Sequence, residues 1–262
     1  MKKFCWIAIM LSILFLCSAC VPVGLLRYTR RGEDTAQDMI RDDPAVQVEA
    51  PNAQVEEYRL FVEDVDFIRA RQMHIEIYPT QEQARVEIDY SEDFPSSALG
   101  VSISGDRIRI QGERGMRAYY GEYVRITVYA NCPEITISGG FSLQMDASGL
   151  KNVDMMINGA INGTVEQIES EKVNIVVNGA AKMNLLGETQ SLVCTVNGAG
   201  DVDAQSLQAQ KAEVQVHGAG NVDVYASDTL KASIAGVGRI RYYGDPSVYP
   251  SVWGVGTITR GD

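Results

Sequence analysis

Apolar residues fall two apart along much of this chain. Met73-Ile75-Ile77, Val86-Ile88-Tyr90, Val101-Ile103, Ile108-Ile110 and Val124-Ile126-Val128 alternate with polar residues such as His74, Glu76, Glu87, Arg109, Arg125 and Thr127. A period of two marks a strand with one face buried. Turn-forming clusters separate the runs, among them Pro79-Thr80, Asp93-Phe94-Pro95-Ser96-Ser97 and Gly105-Asp106. No stretch carries the period of a long amphipathic helix, so the chain reads as all-β.

From about residue 135 a longer period is laid over the first. Gly139, Gly159, Gly179, Gly198, Gly218, Gly236 and Gly254 recur at gaps of 20, 20, 19, 20, 18 and 18 residues. A unit that small cannot bury an apolar face alone and must stack on its neighbours, so the repeat predicts a solenoid with one coil per unit. The units align on the residue before each glycine: Ser138, Asn158, Asn178, Asn197, His217 and Ala235. One, three and five positions earlier the residues are apolar, from Ile157, Met155 and Val153 through Val177, Ile175 and Val173 to Ile234, Ala232 and Leu230. Five and seven positions later, columns such as Leu143, Met183, Val202, Val222 and Ile240 also read as core. Between them Asn162, Lys182, Asp201, Asn221 and Arg239, then Thr164, Asn184, Asp203, Asp223 and Arg241, read as solvent-facing.

Each coil then supplies two short strands meeting at a corner: Asn158-Gly159, Asn178-Gly179, Asn197-Gly198, His217-Gly218 and, last in register, Gly236. The expectation is that each glycine adopts a backbone conformation closed to other residues. The small residue after it, Ala160, Ala180, Ala199 or Ala219, is expected to fill an inside bend. Stacked corner asparagines should hydrogen-bond along the ladder. The fold expected is a parallel β-helix over residues 135–262, with coils about 4.8 Å apart, preceded by a strand-rich part over 51–134.

The start of the chain has another character. Lys2-Lys3, an apolar run from Phe4 to Leu16 and the small pair Ser18-Ala19 precede Cys20. The run is short for a membrane span, which needs roughly 20 apolar residues, so 1–20 reads as a signal peptide. Leu16-Cys17-Ser18-Ala19-Cys20 looks like a bacterial lipobox, which would make Cys20 an acylated membrane anchor; simple cleavage near Ala19 is the alternative. Residues 21–50 are charged without sustained apolar period and read as a tether. Removing residues 1–20 takes Lys2 and Lys3 and no acid, moving the formal charge from −11 to −13. That acidity disfavours nucleic acid as a partner. Cys132 and Cys194 fall at different phases of the repeat and read as buried apolar residues rather than a disulfide.

The chain resembles the auto-transporter adhesin head known as the GIN domain, from about Phe67 onward. The resemblance rests on Val124-Arg125-Ile126-Thr127-Val128 followed by Asn131-Cys132-Pro133-Glu134-Ile135, on the repeated corners, and on the ending. That ending runs Ala235-Gly236-Val237-Gly238, then Tyr242-Tyr243-Gly244-Asp245-Pro246, then Gly254-Val255-Gly256. The usual corner serine is here mostly asparagine. The resemblance implies a right-handed β-helix in an exported, often lipid-anchored protein of the bacterial envelope. It says little about a ligand. The apolar Val21-Pro22-Val23 after Cys20 departs from surface-exported lipoproteins that carry acids there, leaving periplasmic and surface-facing outer-membrane placements both open.

Chemistry is sparse. Asp201, Asp203, Asn221 and Asp223 should sit together on adjacent coils, either as a solvated polar face or as a cluster attractive to a hard cation. Arg239, Arg241, Tyr243, Tyr249 and Trp253 form a basic and aromatic group near the last coil, either a glycan- or protein-docking patch or the cap of the solenoid end. His74 and His217 lack partners for catalysis. No cofactor or metal is expected. These residues point to an envelope-anchored, non-enzymatic binding or adhesion module, its partner a glycan or surface protein. A carbohydrate-active enzyme on the same fold and a self-associating structural element, a homo-oligomer, are the alternatives.

Overall fold

The computed structural model describes residues 26–28, 46–51, 54–65, 72–91, 94, 98–112 and 123–262. The signal segment, Cys20 and most of the tether lie outside them. In chain order the first strands are β1 (Leu26–Tyr28), β2 (Val46–Glu49), β3 (Arg59–Glu63), β4 (Gln72–Tyr78), β5 (Arg85–Tyr90), β6 (Leu99–Ser104), β7 (Arg107–Gly112), β8 (Tyr123–Tyr129) and β9 (Glu134–Ile137). The repeat adds β10 (Gly140–Asp146), β11 (Asn152–Ile157), β12 (Ala160–Val177), β13 (Ala180–Val196), β14 (Ala199–Val216), β15 (Ala219–Ile234), β16 (Val237–Tyr243), β17 (Ser247–Val252) and β18 (Val255–Arg260).

These strands stack as a parallel β-helix. One side runs β8–β4–β10, then the first halves of β12 to β15, then β16 and β18, all parallel. A second side runs β7–β3–β9–β11, then the second halves of β12 to β15, then β17, also parallel. Antiparallel strands close the start: β5 on β8, β2 on β5, β1 on β2, and β6 on β7. Eleven pairings separate β1 from β18, about 50 Å at the usual strand spacing.

The inward columns read from the repeat are buried, and one apolar core runs from Val46 to Ile240. The stretch read as a tether nevertheless supplies β1 and β2. Val46 and Val48 of β2 bury their side chains while the strand pairs with β5. Two alternating valines are too short a pattern to stand out against charged surroundings.

The corner glycines act for a reason other than the one expected. Of the seven, only Gly139 has a left-handed φ, at 141°. The others are needed for close approach: a Cβ on Gly198 would stand 1.9 Å from the Gly179 carbonyl oxygen, and one on Gly159 1.8 Å from that of Gly139. That oxygen accepts the next corner's N–H, as in Ala199 N–H to Gly179 O at 2.9 Å. The space a side chain would need is thus filled by the hydrogen-bonded carbonyl of the coil before. Ala160, Ala180, Ala199 and Ala219 are exposed rather than tucked inside. The inside of the bend belongs to the following residue, a column that shrinks along the rod from Phe141 and Ile161 through Ala181 to Gly200, Gly220 and Gly238.

Candidate functional site

The corner asparagines form the expected ladder over three coils. Asn178 Nδ2 donates to Asn158 Oδ1 and Asn197 Nδ2 donates to Asn178 Oδ1, both at 2.8 Å. At His217 the ladder stops, because the ring turns to Gln215 Oε1 at 3.1 Å. The carboxamides satisfy one another and brace the corner.

The stacking register brings the acidic residues onto adjacent coils, with Asp201 beside Asn221 and Asp203 beside Asp223. Each has a partner. Asn221 Nδ2 donates to Asp201 Oδ1 at 2.8 Å, and Asp203 Oδ1 accepts the Gln205 N–H at 3.1 Å. Asp223 takes a two-pronged hydrogen bond from Arg241, one coil on, with Nε to Oδ1 at 3.1 Å. The bond to Asp223 holds the Arg241 guanidinium further toward its charged form. Among the described residues no group of three His, Cys, Asp or Glu side chains converges to hold a metal ion. Hydrogen-bonded by an amide, a backbone N–H and a guanidinium, these carboxylates belong to a polar lateral face.

Two shallow surfaces escaped the sequence reading. Along the corner, the exposed alanines and Val237 line a trough of about 740 Å³ with Asn162, Lys182 and Asp201 beside them. It could be seen only once the corner alanines were known to face outward. Where β12, β13 and β14 pass from their first halves to their second, Glu169, Glu171, Glu188, Gln190, Gln208 and Gln210 border a second, polar trough. The hydroxyl of Ser170 beneath it donates to Leu150 O at 2.8 Å. Cys132 and Cys194 are both free and buried, and burial pushes each thiol pKa up to about 12.

The aromatic and basic group lies around the last coils without closing them. Arg241 stands 5.7 Å from the centre of the Tyr243 ring. Trp253 is 83% exposed, with its indole N–H donated to Ser251 Oγ at 2.9 Å, and Tyr249 is 63% exposed. Val237, Val252 and Val255 are exposed beside them. Among the described residues no strand pairs beyond β17 and β18, so these side chains flank an open end and do not cap it.

Solved structures share this architecture. A protein described as a putative adhesin from Bacteroides fragilis is 22% identical, with a TM-score of 0.67 over 79% of this chain and 94% of its own. A protein from Parabacteroides distasonis described as a putative lipid binding protein is 18% identical, with a TM-score of 0.56 over 84% and 98%. A putative adhesin from Parabacteroides merdae is 16% identical, with a TM-score of 0.56 over 79% and 93%. At these identities the likeness concerns the fold. No curated protein matches the chain. The family model described as "Putative auto-transporter adhesin, head GIN domain" matches residues 70–246, which hold β4 to β16 and all but the last corner, and the chain belongs to that family.

Proposed function

We propose that this protein is a non-enzymatic adhesion module of the bacterial envelope, held to the outer membrane through an acylated Cys20. The rod presents its lateral polar faces and its open end to a glycan or a surface protein. The observation that carries this reading is the placement of the two ends. Among the described residues β1, six residues after Cys20, lies at one end of the stack and β18 at the other, about 50 Å away at the usual strand spacing. A chain anchored before β1 therefore projects its last coils away from the membrane. The adhesin family supports a role at the envelope. The non-enzymatic part draws on the lateral acids, whose partners are structural amides, a backbone N–H and Arg241.

The test compares cells producing the full chain with cells lacking it. Retention on glycan-coated surfaces and on layers of like cells is expected to drop when the chain is absent, and unchanged retention on both overturns the reading. Labelled palmitate should enter the wild type and not Cys20→Ala; labelling that persists in the variant removes the lipid anchor.

A further inference from the structure

The last coil is the place where the molecule departs from the way soluble proteins treat a strand edge. Inward residues of each coil direct their backbone groups to the following one: Val177 O, Val196 O and Ile234 O accept the N–H groups of Asn197, His217 and Trp253 at 2.8, 2.8 and 2.7 Å. A strand residue points its N–H and C=O to the same side. In the final coil the groups of Val248, Val252, Gly256, Ile258 and Arg260 therefore face the open end. In β17 the middle inward position is Pro250, in register with Ala232. It has no N–H, so that edge is blunted.

The β18 edge is not. One outward column runs Lys182, Asp201, Asn221, Arg239 and then Thr257; the other runs Asn184, Asp203, Asp223, Arg241 and then Thr259. Both outward columns lose their charge on β18, at Thr257 and Thr259, whereas exposed edges ordinarily carry charge to repel a neighbour. Val255 on that strand is exposed, as are Val237 beneath it and Trp253 before it.

We propose that the occupant of this edge is a second copy of the chain. The two β18 strands pair antiparallel about a twofold axis at Thr257, placing Thr257 opposite Thr257, Val255 opposite Thr259 and Gly256 opposite Ile258. This register keeps inward residues inward and sets no charge against a like charge. Arg260 falls opposite Gly254 and is held by Asp245 of its own chain at 3.3 Å. The rest of the rod is poorly suited to self-contact, because residues 134–234 carry 12 acids against 5 bases. Residues 235–262 carry 3 arginines against 2 aspartates. Tip-to-tip pairing points the two N-terminal ends apart. Resting on the anchored-adhesion reading, it joins copies on two facing membranes, not neighbours on one.

The experiment is sedimentation of the full chain in detergent, as wild type, as Thr257→Lys, as Thr257→Glu and as a mixture of the two variants. Thr257 is exposed and outward, so both variants should melt like wild type. The wild type should dimerise with concentration, each variant alone should weaken dimerisation at least about tenfold, and the mixture should restore it. A wild type that stays monomeric, a dimer indifferent to both substitutions, or variants that the mixture does not rescue overturns the proposal. Clumping of cells that display the same chains separates the two readings. Dimers that follow the charge pattern without clumping leave the pairing standing and remove trans-adhesion. Clumping that survives Thr257→Lys does the reverse.

Discussion

The coils laid down after Gly139 and those before it share one core but follow different rules. In the repeat each coil rests on the one just completed, so chain order and stack order agree. In the lead-in they do not. β4 lies between β8 and β10, and β3 between β7 and β9, so the β3–β4 coil is slotted between two coils made later. The chain leaving β8 must pass that coil before laying down β9. Corner geometry differs as well. The repeat turns at stacked glycines, whereas the lead-in uses an antiparallel β6–β7 hairpin whose Gly105 has a φ of 57°, braced by Arg59 Nε to Asp106 Oδ2 at 2.9 Å. That hydrogen bond from Arg59 holds the Asp106 carboxyl below the usual carboxylate range. A repeating stack can be stabilised by one local device used many times; a slotted coil depends on contacts between distant segments.

The sharpest way to probe this contrast is at the corner. Gly198→Val places a side chain where the Gly179 carbonyl already lies, and should cost about 3 kcal/mol or more in urea denaturation. Gly100 in the lead-in has only an ordinary contact, at 3.7 Å, near the position of a Cβ. Gly100→Ala should therefore cost much less, about 1 kcal/mol or below. Equal losses would mean that the corner stacking is not what distinguishes the repeat.

Alkaline pH probes both regions at once. Burial raises the Cys132 and Cys194 thiols from an ordinary 9.0 to about 12. An unfolded thiol ionises above its own pKa while the buried one stays neutral. Their contribution is therefore complete below pH 9 and is lost as the pH climbs from 9 toward 12. Thermal melts across that window should fall. Cys132→Ala, at the β8–β9 connection, and Cys194→Ala, within β13, should each flatten the fall while lowering stability at pH 7. If only one variant flattens it, the two regions unfold as separate units.

The smallest effect concerns Tyr58 in the lead-in. Its hydroxyl is buried and has no hydrogen-bond partner among the described residues, and burial raises its pKa with a further push from the Cys132 thiol. Tyr58→Phe removes a desolvated group and should leave stability unchanged or raise it by up to about 1 kcal/mol. A clear loss would show the hydroxyl to be engaged, and the lead-in packed more like the repeat than its topology suggests.

Much of this molecule could be read from spacing. The columns at Val153, Met155 and Ile157, and at Val202 and Val222, are buried as their period required. The strands β4, β5, β7 and β8 sit where alternation put them. The Asn158–Asn178–Asn197 ladder and the meeting of Asp201 with Asn221 follow from the same register. Other features were hidden for physical reasons. The corner alanines face outward because the inward position falls to the residue after each of them, such as Ile161 and Ala181, a phase that composition does not reveal. The aromatic group flanks the end instead of covering it, because Tyr249 and Trp253 occupy outward positions of the last coil.

The repeat length and the identity of inward columns are properties of neighbouring residues, and the chain encodes them directly. Which coil lies on which is not local. Val-, Ile- and Met-bearing strands of similar length are nearly interchangeable as partners, so the slotting of β3–β4 between later coils emerges only when distant segments compete for the same edges. The open β18 edge is likewise a property of the finished stack. Thr257 and Thr259 look ordinary in sequence, and become notable only where the charged columns beneath them come to an end.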